Sequence, residues 1–317
     1  MCVTTLNEFT PKDLVDFVRE HRAVAFVGSG LSAEYYPSWP TLIASLLTEC
    51  CHGKYDGVDF KNSTPDQLMA FAEDAMATNP DAYCRTLATT FSRRPFEVPP
   101  QYQALVSLDF SAFVTTNFDP FLADACRGRF QNPLQISSFP DLPWGSRKPR
   151  SVFYLHGFKR ENIQLRPTDL VLSTSTFTNA YVPGSELANL LHQLFKYETI
   201  VFVGCSLSEP PIKKILERAR VERQKFVQQN GFDRYPDHLI LSADVSERSK
   251  IPGPSDDQRR SEDEEFRPFG IQVVRYSKVA PTDHSTLKQF LINAGRLHLP
   301  PLKVTDPHAS FLGANKL

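Results

Sequence analysis

The chain has 317 residues, 41% of them apolar and 22% charged, with 35 Lys and Arg against 36 Asp and Glu for a formal charge of -1. That mix excludes a wholly disordered, collagen-like or coiled-coil chain, and the absence of a basic excess disfavours a protein that works by neutralising phosphate backbones. At a prior of ~150 residues per domain, the length fits about two domains or one domain with a large insertion.

The first element is a helix opened by Thr10 as N-cap and Pro11 at the first helical position, with apolar Leu14, Val15, Phe17 and Val18 on one face. Ala23 to Val27 is a continuous apolar run ended by Gly28-Ser29-Gly30, the pattern of a strand buried on both faces of a parallel sheet. From Pro40 to about Leu108 the spacing is helical: Leu42, Ile43, Leu46 and Leu47 recur on one face, as do Leu68, Phe71, Ala72 and Ala75 after Ser63-Thr64-Pro65-Asp66. Further strands are expected at 111–115, 151–155, 170–172, 199–203, 238–241 and 271–275, with helices at 186–196, 210–227 and 282–296.

Strands alternating with helices predict an α/β fold, a Rossmann-like doubly wound parallel sheet with an inserted helical subdomain. The expected layout is one domain over 1–317: a core of 22–33 and 109–296, a helical insertion at 34–108, and a tail at 297–317. The charged stretch 252–265 reads as a solvated loop leading into an exposed helix.

Cys2, Cys50, Cys51, Cys84, Cys126 and Cys205 include no C-x-x-C pair, which excludes a four-cysteine zinc ribbon. No basic N-terminal region runs into an apolar stretch, and no apolar run approaches the ~18 residues of a membrane span. The expectation is a reduced, soluble, cytoplasmic protein with no membrane contact and no direct nucleic-acid binding.

Gly28-Ser29-Gly30-Leu31-Ser32-Ala33 fits the G-x-G-x-x-[G/A] turn that brings backbone N–H groups against a pyrophosphate. The acid expected about twenty residues on, at the end of a second strand, is absent, which disfavours a standard hydride-transfer dehydrogenase. Three more strand ends carry polar clusters: Thr115-Thr116-Asn117-Phe118-Asp119, His156-Gly157 and Gly204-Cys205-Ser206-Leu207. Ligands bind at the carboxyl ends of strands in open α/β sheets, so one ligand could meet all four clusters. Taken singly, Asn117 and Asp119 also fit an Asx-turn, His156 a core histidine, and Ser206 a helix N-cap.

These four clusters, in this order, resemble the signatures of the sirtuin superfamily, and more closely its zinc-less, bacterial defence-type NADase branch, in which Pro37-Ser38-Trp39 before a helix also recurs. The resemblance runs from about residue 22 to 280. It implies that Gly28, Ser29, Gly30 and Ser32 bind the NAD+ pyrophosphate, that Asn117 and Asp119 lie by the nicotinamide ribose and carboxamide, and that Thr116 is among the cofactor-binding residues. It further implies His156 as general base, Gly204 and Ser206 on the adenosine half, and Leu207 as a further cofactor-binding residue. Thr116 stands where the deacylases of the superfamily usually have Gln, and their zinc ribbon cannot be built here.

The expectation is therefore a NAD+ glycohydrolase, with NAD+ as substrate and no zinc. NAD-dependent deacylation, ADP-ribosyl transfer and a non-catalytic NAD or ADP-ribose-binding module are the alternatives. By analogy with defence systems, control would come through homo-oligomerisation or a partner chain, such as a HerA-type ATPase or a phage-sensing chain. Cleaving the glycosidic bond places positive charge on the ribose C1′, so the chemistry calls for an oriented dipole, which Asn117 can give, and a base, which His156 can give.

Overall fold

A computed structural model describes residues 9–92, 97–130, 134–158, 164–207, 209–244, 263–277 and 285–298. The expected tail from residue 299 onward and the charged stretch 252–262 lie outside the described residues. Among the described residues seven strands form one parallel sheet: β1 (Val24–Val27), β2 (Ala112–Thr115), β3 (Ile136–Ser138), β4 (Ser151–Tyr154), β5 (Ile200–Val203), β6 (His238–Asp244) and β7 (Ile271–Ser277), in the order β3-β4-β2-β1-β5-β6-β7. From β1 the chain passes to β2 beside it, out to the edge strand β3 and back to β4 between them, then crosses to the other side of β1 through β5. The crevice where the winding reverses therefore lies beside β1.

The core strands are apolar throughout because both faces are covered. Ala25, Val27, Phe113, Val152, Tyr154, Val201 and Val203 point to one face, where they pack with residues of α1 (Pro11–His21), α2 (Trp39–Cys51), α4 (Pro80–Ser92), α5 (Pro100–Ser107), α6 (Phe121–Arg129) and the last helix, α10 (Ser285–His298). Val24, Phe26, Ala112, Val114, Phe153, Ile200 and Phe202 point to the other, under α7 (Thr174–Tyr181), α8 (Glu186–Tyr197) and α9 (Pro210–Asn230). The alternation along each strand is the period of two that a pleated sheet imposes.

The expected helices between β1 and β2 are present as α2, α3 (Pro65–Thr78), α4 and α5. Thr10 and Thr64 cap α1 and α3, each in a capping box with the third helical residue, Asp13 and Gln67. Glu73 on α3 accepts the Ser175 N–H at 2.9 Å, fastening the helical segment to the start of α7.

Residues 170–172 form no strand, contrary to the sequence expectation. Their donors go elsewhere: Val171 N–H bonds the His156 carbonyl at 2.8 Å, and Leu172 N–H bonds Thr176 Oγ1 at 3.0 Å ahead of α7. Their apolar character reflects burial against the sheet rather than a place in its ladder. The short β3, with two serines in three residues, carried too little apolar signal to be expected.

The turns after β1 and β5 interlock. Gly28 N–H bonds the Val203 carbonyl at 2.9 Å and Gly30 N–H the Gly204 carbonyl at 3.0 Å. A Cβ on Gly28 would stand 2.5 Å from Gly204 O, and one on Gly204, whose φ is +67°, would stand 2.7 Å from Leu31 N. Gly204→Ala should therefore cost roughly 2–4 kcal/mol of stability, from left-handed backbone strain plus overpacking. Urea unfolding checks this, and an unchanged midpoint would contradict it.

Candidate active site

Register decides which side chains meet. Val27 pairs with Thr115 and with Val203, and Thr115 pairs with Tyr154, so four strands end level. Two residues beyond that line stand Ser29, Asn117, Cys205 and His156. A cavity of about 400 Å³ opens there, lined by Ser29, Gly30, Ser32, Thr116, Asn117, Asp119, His156 and Glu209, with Tyr36, Trp39, Phe91 and Phe177 among its apolar walls. That size suits a small-molecule site.

Thr115 anchors the second cluster: its Oγ1 donates to the Val27 carbonyl at 2.8 Å and accepts the Asn117 N–H at 3.0 Å. Asn117 Nδ2 donates to the Gly28 carbonyl at 3.1 Å and approaches Ser32 Oγ at 3.4 Å. A carbonyl can be met by the amide nitrogen alone, so Nδ2 is held on the glycine turn and Oδ1 is the end turned away from it. Asp119 Oδ1 accepts the Phe121 N–H at 3.1 Å at the start of α6, and burial pushes its carboxyl up to about 6. The Asx-turn reading thus describes part of what Asp119 does.

His156 is 4% exposed. Its Nε2 lies 2.6 Å from the Tyr181 hydroxyl, and Phe177 meets the ring edge to face at 5.2 Å. Burial lowers its pKa to about 3, so the imidazole is neutral near pH 7. Glu209 Oε2 stands 3.6 Å from the same Nε2. Burial pushes that carboxyl up to about 7, against a lowering by the Thr116 hydrogen bond.

Residues 111–268 match the SIR2-like domain model. That stretch of the chain is SIR2-like. The chain is 24% identical over 247 residues to the uncharacterized protein y4cA of Sinorhizobium fredii (strain NBRC 101917 / NGR234), covering 68% of this chain and 19% of that protein. Identity is 22% over 215 residues to defense-associated sirtuin 2 of Bacillus subtilis, covering 66% and 20%. With NAD(+) hydrolase ThsA of Enterococcus faecium it is 24% over 220 residues, covering 66% and 42%. The chain thus spans between about a fifth and two fifths of these relatives' lengths. Among solved structures, it is similar at a TM-score of 0.46 and 14% identity to one described under "Structural Basis for the Mechanism and Regulation of Sir2 Enzymes", covering 92% of this chain and 98% of that one. A Sir2 homolog–NAD complex is similar at a TM-score of 0.44 and 14% identity, covering 91% and 95%.

The site residues expected from sequence divide into two groups. Ser29, Gly30, Ser32, Thr116, Asn117, Asp119 and His156 share the cavity wall. Gly28 lies behind the turn, and Gly204 packs on Gly30 rather than on that wall. Leu207 is buried in the second core cluster, and Ser206 is exposed after β5. Sequence reasoning missed Glu209, although it stands two residues past the recognised Gly204-Cys205-Ser206-Leu207 run and directly before Pro210-Pro211. It also missed Tyr181, which lay in a stretch with no assigned element.

The raised Asp119 pKa gives a pH test. A carboxyl whose pKa rises on folding stabilises the fold fully below its unfolded value near 3.8, and that contribution is lost as pH rises through about 6. Asp119→Asn keeps the Phe121 acceptor and removes the ionisation. Relative to the parent, the variant should gain stability between pH 4 and pH 7, by up to roughly 3 kcal/mol. Denaturant unfolding at the two pH values measures it, and a difference independent of pH would contradict the buried-carboxyl account.

Proposed function

We propose that this protein hydrolyses the nicotinamide–ribose bond of NAD+ to nicotinamide and ADP-ribose, as a NAD-depleting effector of anti-phage defence. The observation that carries this reading is the gathering of the glycine turn, Asn117 and His156 on one cavity wall, in a chain whose residues 111–268 match the SIR2-like domain model. Support for the substrate and the defence role comes from the relatives named NAD(+) hydrolase and defense-associated sirtuin.

In this reading the phosphates lie along Ser29, Gly30 and Ser32, and the nicotinamide ribose lies by Thr116, Asn117 and Asp119. Gly28 and Gly204 shape the turn from behind, with Ser206 and Leu207 toward the adenosine end. The departing nicotinamide is neutral, and the apolar walls beside His156 accept a flat ring without a charged partner. Positive charge develops on C1′ as the bond lengthens, and the Asn117 carbonyl dipole, fixed by the Gly28 contact, stabilises it. A preorganised dipole of this kind is worth about 3 kcal/mol. The proton leaving the attacking water is taken up at the end of the cavity where His156 and Glu209 stand. Control is assigned to assembly, either with copies of this chain or with a partner such as a HerA-type ATPase or a phage-sensing chain, in the cytoplasm.

Incubating the purified chain with NAD+ and following products by chromatography tests the reading. Nicotinamide and ADP-ribose should appear in equal amounts. Asn117→Ala should lower the rate about 10²–10³-fold, and His156→Ala about 10²-fold or more, with circular dichroism unchanged. Intact NAD+ after incubation with the wild-type chain, or nicotinamide release that requires an acylated peptide, would overturn the hydrolase.

A further inference from the structure

His156 is the expected base of this site, yet its geometry sets it apart from that task. Its Nε2 is committed to the Tyr181 hydroxyl at 2.6 Å whichever of the two atoms carries the proton. If the phenol donates, the Nε2 lone pair is occupied; if Nε2 donates, it has no lone pair to offer. Burial among Phe177 and Tyr181 lowers the basicity of the ring further.

Beside it stands a group that no sequence motif supplied. Glu209 occupies the N-cap of α9, where acidic and polar side chains normally bond the first free N–H groups. Here it makes no such bond. Pro210 and Pro211 fill the first two helical positions and bring no N–H, so two of the donors that would attract the carboxylate do not exist. Proline at 210 also holds Glu209 extended, at φ -68° and ψ 120°. The side chain lines the cavity with Asn117 and His156, 26% exposed. Its Oε2 is buried and has no hydrogen-bond partner among the described residues, an arrangement with a desolvation cost unless a ligand or water meets it.

We propose that Glu209 is the proton acceptor of this site: its carboxylate takes the proton from the water that attacks C1′, while the Tyr181-bound imidazole of His156 holds that water and the ribose in place. The inference rests on the hydrolase reading. In the step, the C1′–nicotinamide bond breaks with its electron pair going to the ring nitrogen, which becomes neutral. The water oxygen bonds C1′, one of its protons passes to Glu209, and the resulting acid releases it to solvent. Thr116 hydrogen-bonds the same carboxyl. The residue that stands in place of the deacylases' Gln therefore serves the base.

The groups facing Glu209 are His156 after β4, Tyr181 on α7, Cys205 after β5, and Asp119 across the cavity wall. Burial holds the Tyr181 phenol and the Cys205 thiol protonated near neutrality, and His156 titrates far below it. Asp119 rises to about 6 and Glu209 to about 7. Since a base acts when deprotonated, kcat/KM of the wild type should climb with pH through about 7, and the limb that Glu209→Gln removes is the one assigned to it.

The decisive comparison is wild type, Glu209→Gln and Glu209→Ala, each assayed for nicotinamide release and for ADP-ribose binding by calorimetry. Both variants should bind ADP-ribose as the wild type does and turn over about 10²-fold more slowly or worse. Formate should restore Glu209→Ala by replacing the missing carboxylate, and should not restore Glu209→Gln, whose amide fills the space. A wild type that hydrolyses NAD+ while Glu209→Gln keeps pace overturns this assignment alone. Loss of binding in both variants without formate rescue overturns it in favour of a structural role. A wild type that binds NAD+ without turnover overturns the hydrolase and this assignment together.

Discussion

The candidate site rests on one constraint, the level register of four parallel strands. Val203, Val27, Thr115 and Tyr154 lie in a row across β5, β1, β2 and β4, so the chain leaves the sheet at the same height four times. Each strand is four residues long and buried on both faces. A slip of one residue would exchange its two apolar sets between helical layers and lift one polar cluster away from the others. Hydrophobic packing holds the register, and Thr115 Oγ1 adds a polar clasp between the ends of β1 and β2. Burial of residues far from the cavity thus sets the spacing of groups within it.

The same burial sets the acid–base character of the cavity. Asp119 and Glu209 are pushed up and His156 is pushed down, each towards its neutral form. Near pH 7 the imidazole is neutral, the Asp119 carboxyl is mostly ionised and the Glu209 carboxyl stands near its midpoint. Under the proposed reaction, a cationic nicotinamide ring enters this space, and its positive charge favours ionisation of the nearby carboxyls. Substrate would then ready its own base, in a medium where unscreened charge counts for more than in water.

Much of the sheet was legible in the sequence because strands covered on both faces are apolar without interruption, as in Ala23 to Val27 and Ile200 to Val203. The limits of that rule show at two places. Leu170-Val171-Leu172 has the composition of a strand, but its N–H groups are spent on His156 and Thr176, a partnership invisible to periodicity. Ile136–Ser138 is a strand with little apolar content, held at the sheet edge by pairing with β4. At the site, Asn117 and His156 stood out because four polar clusters at strand ends fall where one ligand could meet them together. Glu209 did not, since a glutamate before two prolines reads as an ordinary helix start, and its meaning comes from Oε2 facing a histidine 53 positions earlier in the chain.

The clasp between the first glycine turn and Gly204 has a consequence for affinity. A loop that must be ordered by its ligand spends part of the contact energy on that ordering, whereas this one is already braced against a neighbouring strand end by two backbone bonds. Under the proposed reading, a dinucleotide arriving there would meet a finished mould. Selection among candidate ligands would then fall to shape, and a molecule with a bulkier bridge between its two halves would find no give in the surface that receives it.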